Sequence, residues 1–135
     1  MDAQIGAWEP PAKLAEDHVR ALDDSVRSMA TGGDALHPGD DDAARFSEVV
    51  NAQPDARASV FAERPSDQLV GWLRVLTLAE EAVPGCTAGA KSPVIDIARL
   101  LRERGDYPPA LTAWIRSVSN NRFLPYGSLM DRLKG

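Results

Sequence analysis

Apolar residues recur at helical spacing along most of this chain, and the pattern is densest between residues 66 and 83. The apolar side chains there are Leu69, Val70, Trp72, Leu73, Val75, Leu76, Leu78, Ala79 and Ala82. They surround most of the helix, which is typical of a helix buried in the interior of a protein. This segment is therefore predicted to be the central helix of the fold, with Ser66 as its N-terminal cap and Pro84-Gly85 as its stop.

Two amphipathic helices are predicted to follow it. Residues 93–104 carry a complete set of boundary signals, with Ser92 as cap, Pro93 at the first helical position and Gly105 as terminator. Residues 109–119 place apolar side chains at i, i+3, i+4 and i+7, which is one face of a helix. Those side chains are Leu111, Trp114, Ile115 and Val118.

The first half of the chain predicts three more helices, separated by segments rich in Gly, Pro and Asp. The first spans residues 11–30. The second begins at Asp40 or Asp41 and ends before the break at Pro54, and the third spans residues 55–63. Their apolar faces are formed by Leu14, Val19, Leu22 and Val26, by Phe46, Val49 and Val50, and by Val60 and Phe61. No segment alternates apolar and polar residues over the length of a strand.

The sequence thus predicts an all-α fold, a compact bundle of five or six helices with little or no sheet. Residues 1–10 are expected to form a flexible N-terminus ahead of a single helical domain, 11–135. The short connections among the last three helices leave a helical-repeat arrangement open as an alternative.

The three tryptophans allow a direct test of this pattern. Trp72 and Trp114 lie on periodic apolar faces and are expected to be buried. Trp8 lies on no such face and is expected to be partly exposed or mobile.

Composition narrows the class of protein. A chain of 135 residues suits one domain, and its single cysteine, Cys86, excludes an intramolecular disulfide, which fits a reducing compartment. No apolar run approaches the ~18 residues of a membrane span, and the first residues lack the basic and apolar regions of a signal peptide. A cytoplasmic protein is expected, and its richness in Ala, Arg and Asp suggests a bacterial source.

Charge is distributed unevenly along the chain. Residues 1–65 carry 13 acidic and 6 basic side chains, whereas residues 66–135 carry 7 acidic and 9 basic ones, within a net charge of −5. The simpler interpretation is that the two halves attract each other. The other is that the second half meets an anionic partner.

Candidate chemistry is sparse, and the nearest match to a known motif lies between Gly85 and Ser92. The segment fits the phosphate-binding loop G-x-x-x-x-G-K-[ST] except that Ala90 replaces the second glycine. The preceding element is predicted to be a helix rather than a strand, and Pro93 removes one N–H from the helix start. A helix–helix connection is therefore predicted, with a weak anion site at Lys91 and Ser92 as the alternative.

Catalytic and metal-binding arrangements are not evident. Cys86 would need a base to act as a nucleophile, but His18 lies on a predicted surface helix and His37 in a loop. The acidic segment around His37 has Leu36 and Pro38 where a calcium loop needs ligands. No catalytic residue, metal or cofactor is predicted, and enzymatic activity stays open with binding favoured.

The candidate binding surface lies in the basic C-terminal third, where arginines alternate with aromatic residues. Its predicted members are Arg99, Arg102, Arg116, Arg122, Phe123 and Tyr126. The predicted function is a small protein-binding domain, adaptor or regulatory, whose partner is another protein or a second copy. Nucleic-acid binding through the same arginines is the alternative, although a pI near 4.9 is unusual for that class. No membrane association is predicted.

The last sixteen residues, NNRFLPYGSLMDRLKG, are unusually apolar for a terminus. Asn120 and Asn121 tolerate left-handed backbone and are predicted to end the preceding helix. A turn around Pro125 is predicted to return the chain to the helical core, with a free peptide as the alternative. The side chains expected to contact the core are Phe123, Leu124, Leu129 and Leu133.

Overall fold

The computed structural model describes residues 16–32, 40–83, 86, 89–121 and 123–125. These residues form six α-helices and one short 3-10 helix, and no strand occurs among them. Helices α1 to α6 span Glu16–Gly32, Asp40–Asn51, Pro54–Ala62, Ser66–Ala82, Pro93–Arg104 and Leu111–Val118. The 3-10 helix, Gly89–Lys91, directly precedes α5. The prediction of an all-α bundle is therefore confirmed.

Helix α4 is the centre of the fold, as its apolar pattern predicted. Helices α1, α2, α5 and α6 all pack against it. At 100° per residue, Gln68 and Trp72 face one side of α4, where α1 lies, whereas Arg74 and Glu81 face another, where α6 and its C-terminal extension lie. The α1–α2 pair and α6 therefore cover different sides of the same helix.

Helices α1 and α4 approach closely because α4 has a glycine at the crossing. A Cβ added to Gly71 would lie 2.9 Å from Cγ2 of Val26, closer than real Cβ atoms come. Next to this crossing, Trp72 is fully buried and its indole N–H donates to Asp23 over 2.7 Å. Its ring also meets Phe61 edge to face. The expected burial of Trp72 is confirmed.

The boundaries of α5 match the sequence signals. The Ser92 hydroxyl accepts a hydrogen bond from the Val94 N–H over 3.1 Å, Pro93 opens the helix, and Gly105 ends it with a φ of 77°.

The predicted start of α4 is wrong by one residue. Ser66 is already helical, and Pro65 occupies the cap position with extended backbone and no side-chain cap bond. The Ser66 hydroxyl instead donates to Asp106 over 2.6 Å, so a contact distant in sequence takes the group that a cap would use.

The predicted burial of Trp114 is also wrong, since this side chain is only half-buried. The Arg74 guanidinium covers its ring at 4.7 Å from the centroid. A long cationic side chain, rather than the apolar core, therefore shields part of this tryptophan. Trp8 lies outside the described residues.

The first residues of the C-terminal segment contact the core, as predicted. Leu124 is 2 % exposed, and Phe123 packs half-buried against the core cluster. Leu129 and Leu133 lie outside the described residues. Within the part of the chain that the structure describes, no helix has both the length and the apolar character needed to cross a membrane.

Candidate partner-binding surface

The described arginines of the predicted surface are exposed. Arg99 and Arg102 lie on α5, and Arg116 lies on α6. Phe123 is half-buried against the core, so only part of its ring is available to a partner. Arg122 and Tyr126 lie outside the described residues.

A tyrosine contacts an arginine of α5 and a threonine of α6. The Arg102 guanidinium lies 5.7 Å from the centroid of the Tyr107 ring, and the Tyr107 hydroxyl is 2.7 Å from Oγ1 of Thr112 on α6. Arg99 lies one turn before Arg102, and Arg116 one turn after Thr112. Tyr107 thus contacts one residue of each helix, and we call Arg99, Arg102, Tyr107 and Arg116 the basic surface. Tyr107 was not among the residues predicted for this surface. Its position, three residues after Arg104 and directly before two prolines, places it in the connection between α5 and α6.

Other arginines are used inside the fold. Arg104 donates from Nη1 to the Arg64 carbonyl over 2.7 Å and from Nη2 to the Ala62 carbonyl over 3.1 Å, which joins the end of α5 to the end of α3. Arg74 lies over Trp114. Arg74 and Arg104 therefore help to hold the fold together, whereas the arginines of the basic surface are exposed.

Arg57 is the most buried of these structural arginines, at 4 % exposure. Its Nη1 donates to the carbonyls of Val50 and Lys91 over 3.0 and 3.1 Å, and its Nη2 lies 3.0 Å from the Asp96 carboxylate. Burial raises the pKa of Asp96, and the positive charges of Arg57 and Arg99 oppose that shift. The ion pair joins a base of the first half to an acid of the second, the reverse of the attraction that the overall charges suggested.

Two consecutive asparagines attach the C-terminal segment to two consecutive glutamates of α4. Asn120 donates to Glu81 from its backbone N–H over 3.0 Å and from Nδ2 over 2.8 Å. Asn121 donates from Nδ2 to Glu80 over 3.1 Å and to the Gly89 carbonyl over 3.0 Å. Its Oδ1 accepts the N–H of Phe123 over 3.0 Å. This asparagine clamp, Asn120 and Asn121, positions the chain where the predicted surface continues.

The asparagines do not end α6 through left-handed backbone, as the sequence had suggested. Every positive φ among the described residues belongs to a glycine, so neither asparagine is left-handed. Helix α6 ends at Val118, ahead of an extended Ser119. The asparagines matter for their amide side chains, which bind the glutamates of α4.

The candidate anion site at the start of α5 already holds a carboxylate of the protein. Ser92 is 1 % exposed, and its hydroxyl donates to Glu80 while accepting from the Val94 N–H. Lys91 is exposed, and its carbonyl is bound by Arg57. The element before this loop is a helix, as predicted. Binding of an external anion by Lys91 and Ser92 stays a prediction.

Cys86 is fully buried beside this network. Burial raises the pKa of its thiol to about 11, and the negative charge of Glu80 adds to the shift. The thiol is therefore protonated at neutral pH, the opposite of what an activated nucleophile needs.

His18 lies on α1, whose other side is exposed, but the His18 side chain itself is buried. It is 5 % exposed, with Nε2 2.9 Å from Glu48 Oε1, which also accepts from Arg45 Nη1 over 2.6 Å. Burial favours the neutral form of Glu48, but the hydrogen bonds from Arg45 and His18 outweigh it and hold its pKa below the usual value. His18 is one turn before Leu22, so its buried side was readable from the apolar stripe.

An open cleft of about 340 Å³ lies between α1 and α2, beside this cluster. It is lined by Asp17, Arg20, Ala21, Asp24, Asp41, Asp42 and Arg45. No group of three or more His, Cys, Asp or Glu residues suited to a metal ion occurs in the described ranges. Asp34 and His37, from the acidic segment, lie outside those ranges.

Comparison of the chain with protein families, with curated proteins and with solved structures finds no match. The candidate site is therefore assigned from its own geometry.

Proposed function

We propose that this protein is a small helical domain that binds another protein, in an adaptor or regulatory role. The contact surface is the basic surface together with the residues that the asparagine clamp leads into, Arg122, Phe123 and Tyr126. One observation carries the proposal. The side chains of Arg99, Arg102 and Arg116 are exposed, and Tyr107 lies between Arg102 of α5 and Thr112 of α6.

Arginine and tyrosine are the residue types that favour this function. Both are enriched in protein interfaces and at their energetically dominant positions. An arginine can bind a carboxylate through two hydrogen bonds and also stack on an aromatic ring. A rigid tyrosine held by Thr112 presents such a ring without the entropy cost of ordering a flexible side chain.

The acidic balance of the chain favours a protein over a nucleic acid as partner. The net charge is −5, so phosphate would be repelled by most of the molecule outside the basic surface. Proteins that bind nucleic acid strongly neutralise about 6–10 phosphates, and the basic surface supplies three described arginines. Nucleic-acid binding is supported by the contact of Arg102 with the Tyr107 ring, and it is the second candidate.

Site-specific cross-linking tests the proposal. A photoreactive side chain placed at exposed Ala113 on α6 should capture the partner in cells, to be identified by mass spectrometry. The double variant Arg99→Glu/Arg116→Glu should lose that product. The matched control Arg27→Glu/Lys91→Glu changes the charge equally, at exposed positions outside the basic surface and outside the lining of the α1–α2 cleft, and should keep it.

The outcome separates the candidates. Equal capture by both double variants would refute a role for the basic surface. A single- or double-stranded probe that is shifted at low salt, with an affinity that falls steeply with salt and disappears in Arg99→Glu/Arg116→Glu, would support the nucleic-acid alternative instead.

A further inference from the structure

The first two helices and the last two helices carry opposite net charge. Helices α1 and α2 contain eight acidic residues (Glu16, Asp17, Asp23, Asp24, Asp40, Asp41, Asp42, Glu48) and three basic ones (Arg20, Arg27, Arg45). Helices α5 and α6 contain two acidic residues (Asp96, Glu103) and four basic ones (Arg99, Arg102, Arg104, Arg116). The sequence-level asymmetry is therefore also an asymmetry between two parts of the folded molecule.

The acidic groups form a surface rather than a buried cluster. Asp17, Asp24 and Asp41 are exposed and line the cleft between α1 and α2, with Asp42 half-buried beside them. We call these four residues the acidic face. Two of them contact arginines of the same helix, Asp17 with Arg20 at 3.6 Å and Asp24 with Arg27. Such exposed i,i+3 pairs contribute only tenths of a kcal/mol, so they exchange readily for other partners.

We infer that the partner of the basic surface is a second copy of this chain, which docks through its acidic face. This inference rests on the proposed function and names the occupant of the same surface. Its basis is charge complementarity between two exposed surfaces of one molecule, since guanidinium groups bind carboxylates with two hydrogen bonds. The open cleft of about 340 Å³ has carboxylates on both walls, four in all against its two arginines, Arg20 and Arg45, so its lining favours a cation.

Within one chain, Arg116 and the acidic face lie on different sides of α4. The α1–α2 pair packs on the side of α4 that carries Gln68 and Trp72, whereas α6 packs on the side that carries Arg74. The contact between copies therefore joins different patches, and each added copy leaves one acidic face and one basic surface open. Such head-to-tail contacts produce rings or open chains.

Sedimentation velocity on the full chain tests this directly. At low salt the average mass of the wild type should rise with protein concentration, and high salt should reverse the association because the contacts are exposed charges. The variant Arg99→Glu/Arg116→Glu lacks the basic surface, and the variant Asp17→Lys/Asp41→Lys lacks the acidic face. Each alone should stay monomeric, with association weakened by at least about tenfold.

Mixing the two variants provides the decisive result. Each variant retains the surface that the other lacks, and the two reversed surfaces also complement each other, so an equimolar mixture should associate although neither variant does so alone. A chain that carries all four substitutions has both surfaces reversed and should associate again. Thermal unfolding of every variant serves as the control, and each melting temperature should stay close to that of the wild type.

A wild type that is monomeric at every concentration at low salt overturns the inference, as does a mixture that stays monomeric. The proposed function is judged separately by the cross-link at Ala113. A foreign protein captured in an Arg99- and Arg116-dependent manner keeps the proposed function and rejects self-association. A cross-linked product made only of this chain supports both.

Discussion

Replacing Arg57 by methionine should destabilise the fold far more than removing a surface charge. The Arg57 side chain is buried and binds the end of α2, the 3-10 helix and Asp96 of α5. Methionine fills a similar space but makes none of these contacts. Removing one member of a buried ion pair costs about 3–5 kcal/mol. Because the Asp96 side chain is 30 % exposed and can regain hydration, we expect a loss of about 3 kcal/mol.

Urea unfolding at neutral pH, followed by tryptophan fluorescence, measures this loss. The slope of the free energy with urea should match that of the wild type, which confirms that the same surface unfolds. The control is Arg20→Met, which removes an exposed pair with Asp17 and should cost at most about 1 kcal/mol. If Arg57→Met falls within about 0.5 kcal/mol of this control, the reasoning about buried contacts is refuted.

The loss should also depend on pH, through Asp96. Burial raises the pKa of Asp96 and Arg57 opposes the shift, so its pKa should rise further in Arg57→Met. A carboxyl with a raised folded-state pKa binds protons more readily when folded. The stabilising contribution of such a carboxyl to the free energy of unfolding is therefore present at low pH and is lost as pH rises through the raised pKa. The gap between wild type and Arg57→Met should be widest above that pKa and narrow as pH falls. Adding Asp96→Asn to Arg57→Met should recover part of the stability at neutral pH and make its free energy of unfolding less dependent on pH. A difference between wild type and Arg57→Met that does not change with pH would contradict this account.

Three further predictions concern the core. Gly71→Ala should destabilise the wild type, because the added Cβ would lie 2.9 Å from Val26. In a Val26→Ala background the same substitution should stabilise the fold by up to about 1 kcal/mol, because alanine has the higher helix propensity. Chemical unfolding that gives the same sign in both backgrounds would contradict the close crossing. Trp72→Ala should cost about 3–5 kcal/mol in calorimetry and Trp114→Ala clearly less, since only Trp72 is fully buried; equal losses would count against this difference. Leu124→Ala should cost about 2–3 kcal/mol, and an unchanged melting temperature would mean that its burial contributes nothing to stability.

Features set by neighbouring residues could be predicted from the sequence. The boundaries of α5 depend on Ser92, Pro93 and Gly105, which act on the backbone next to them. The burial of α4 followed from the density of its apolar residues. The cap of α4 was predicted wrongly because the Ser66 hydroxyl binds Asp106, a contact that depends on how α5 returns to the start of α4.

Polar contacts between distant segments could not be predicted in the same way. His18 and Glu48 are 30 positions apart, and Asn121 and Glu80 are 41 apart, so the fold itself brings them together. A weaker signal was present in one case. Arg57 is one turn before Phe61, which places a charged residue on the apolar stripe of α3 and indicates a buried partner. The exposed arginines of the candidate site could each be predicted from the sequence, whereas the contacts of Tyr107 with Arg102 and Thr112 required the structure.

Alkylation of the buried Cys86 thiol can be used to measure local opening of this protein. It is the only cysteine, so an alkylating reagent can add one group per molecule at a known position. With a pKa of about 11, only about one thiol in ten thousand is ionised in the folded protein at pH 7, and none of its surface is accessible to the reagent. Reaction therefore proceeds through molecules in which the region between α4 and α5 has opened, and its rate is proportional to their population when closing is fast. Mass spectrometry of the alkylated chain under native conditions thus gives the free energy of that opening without any introduced probe.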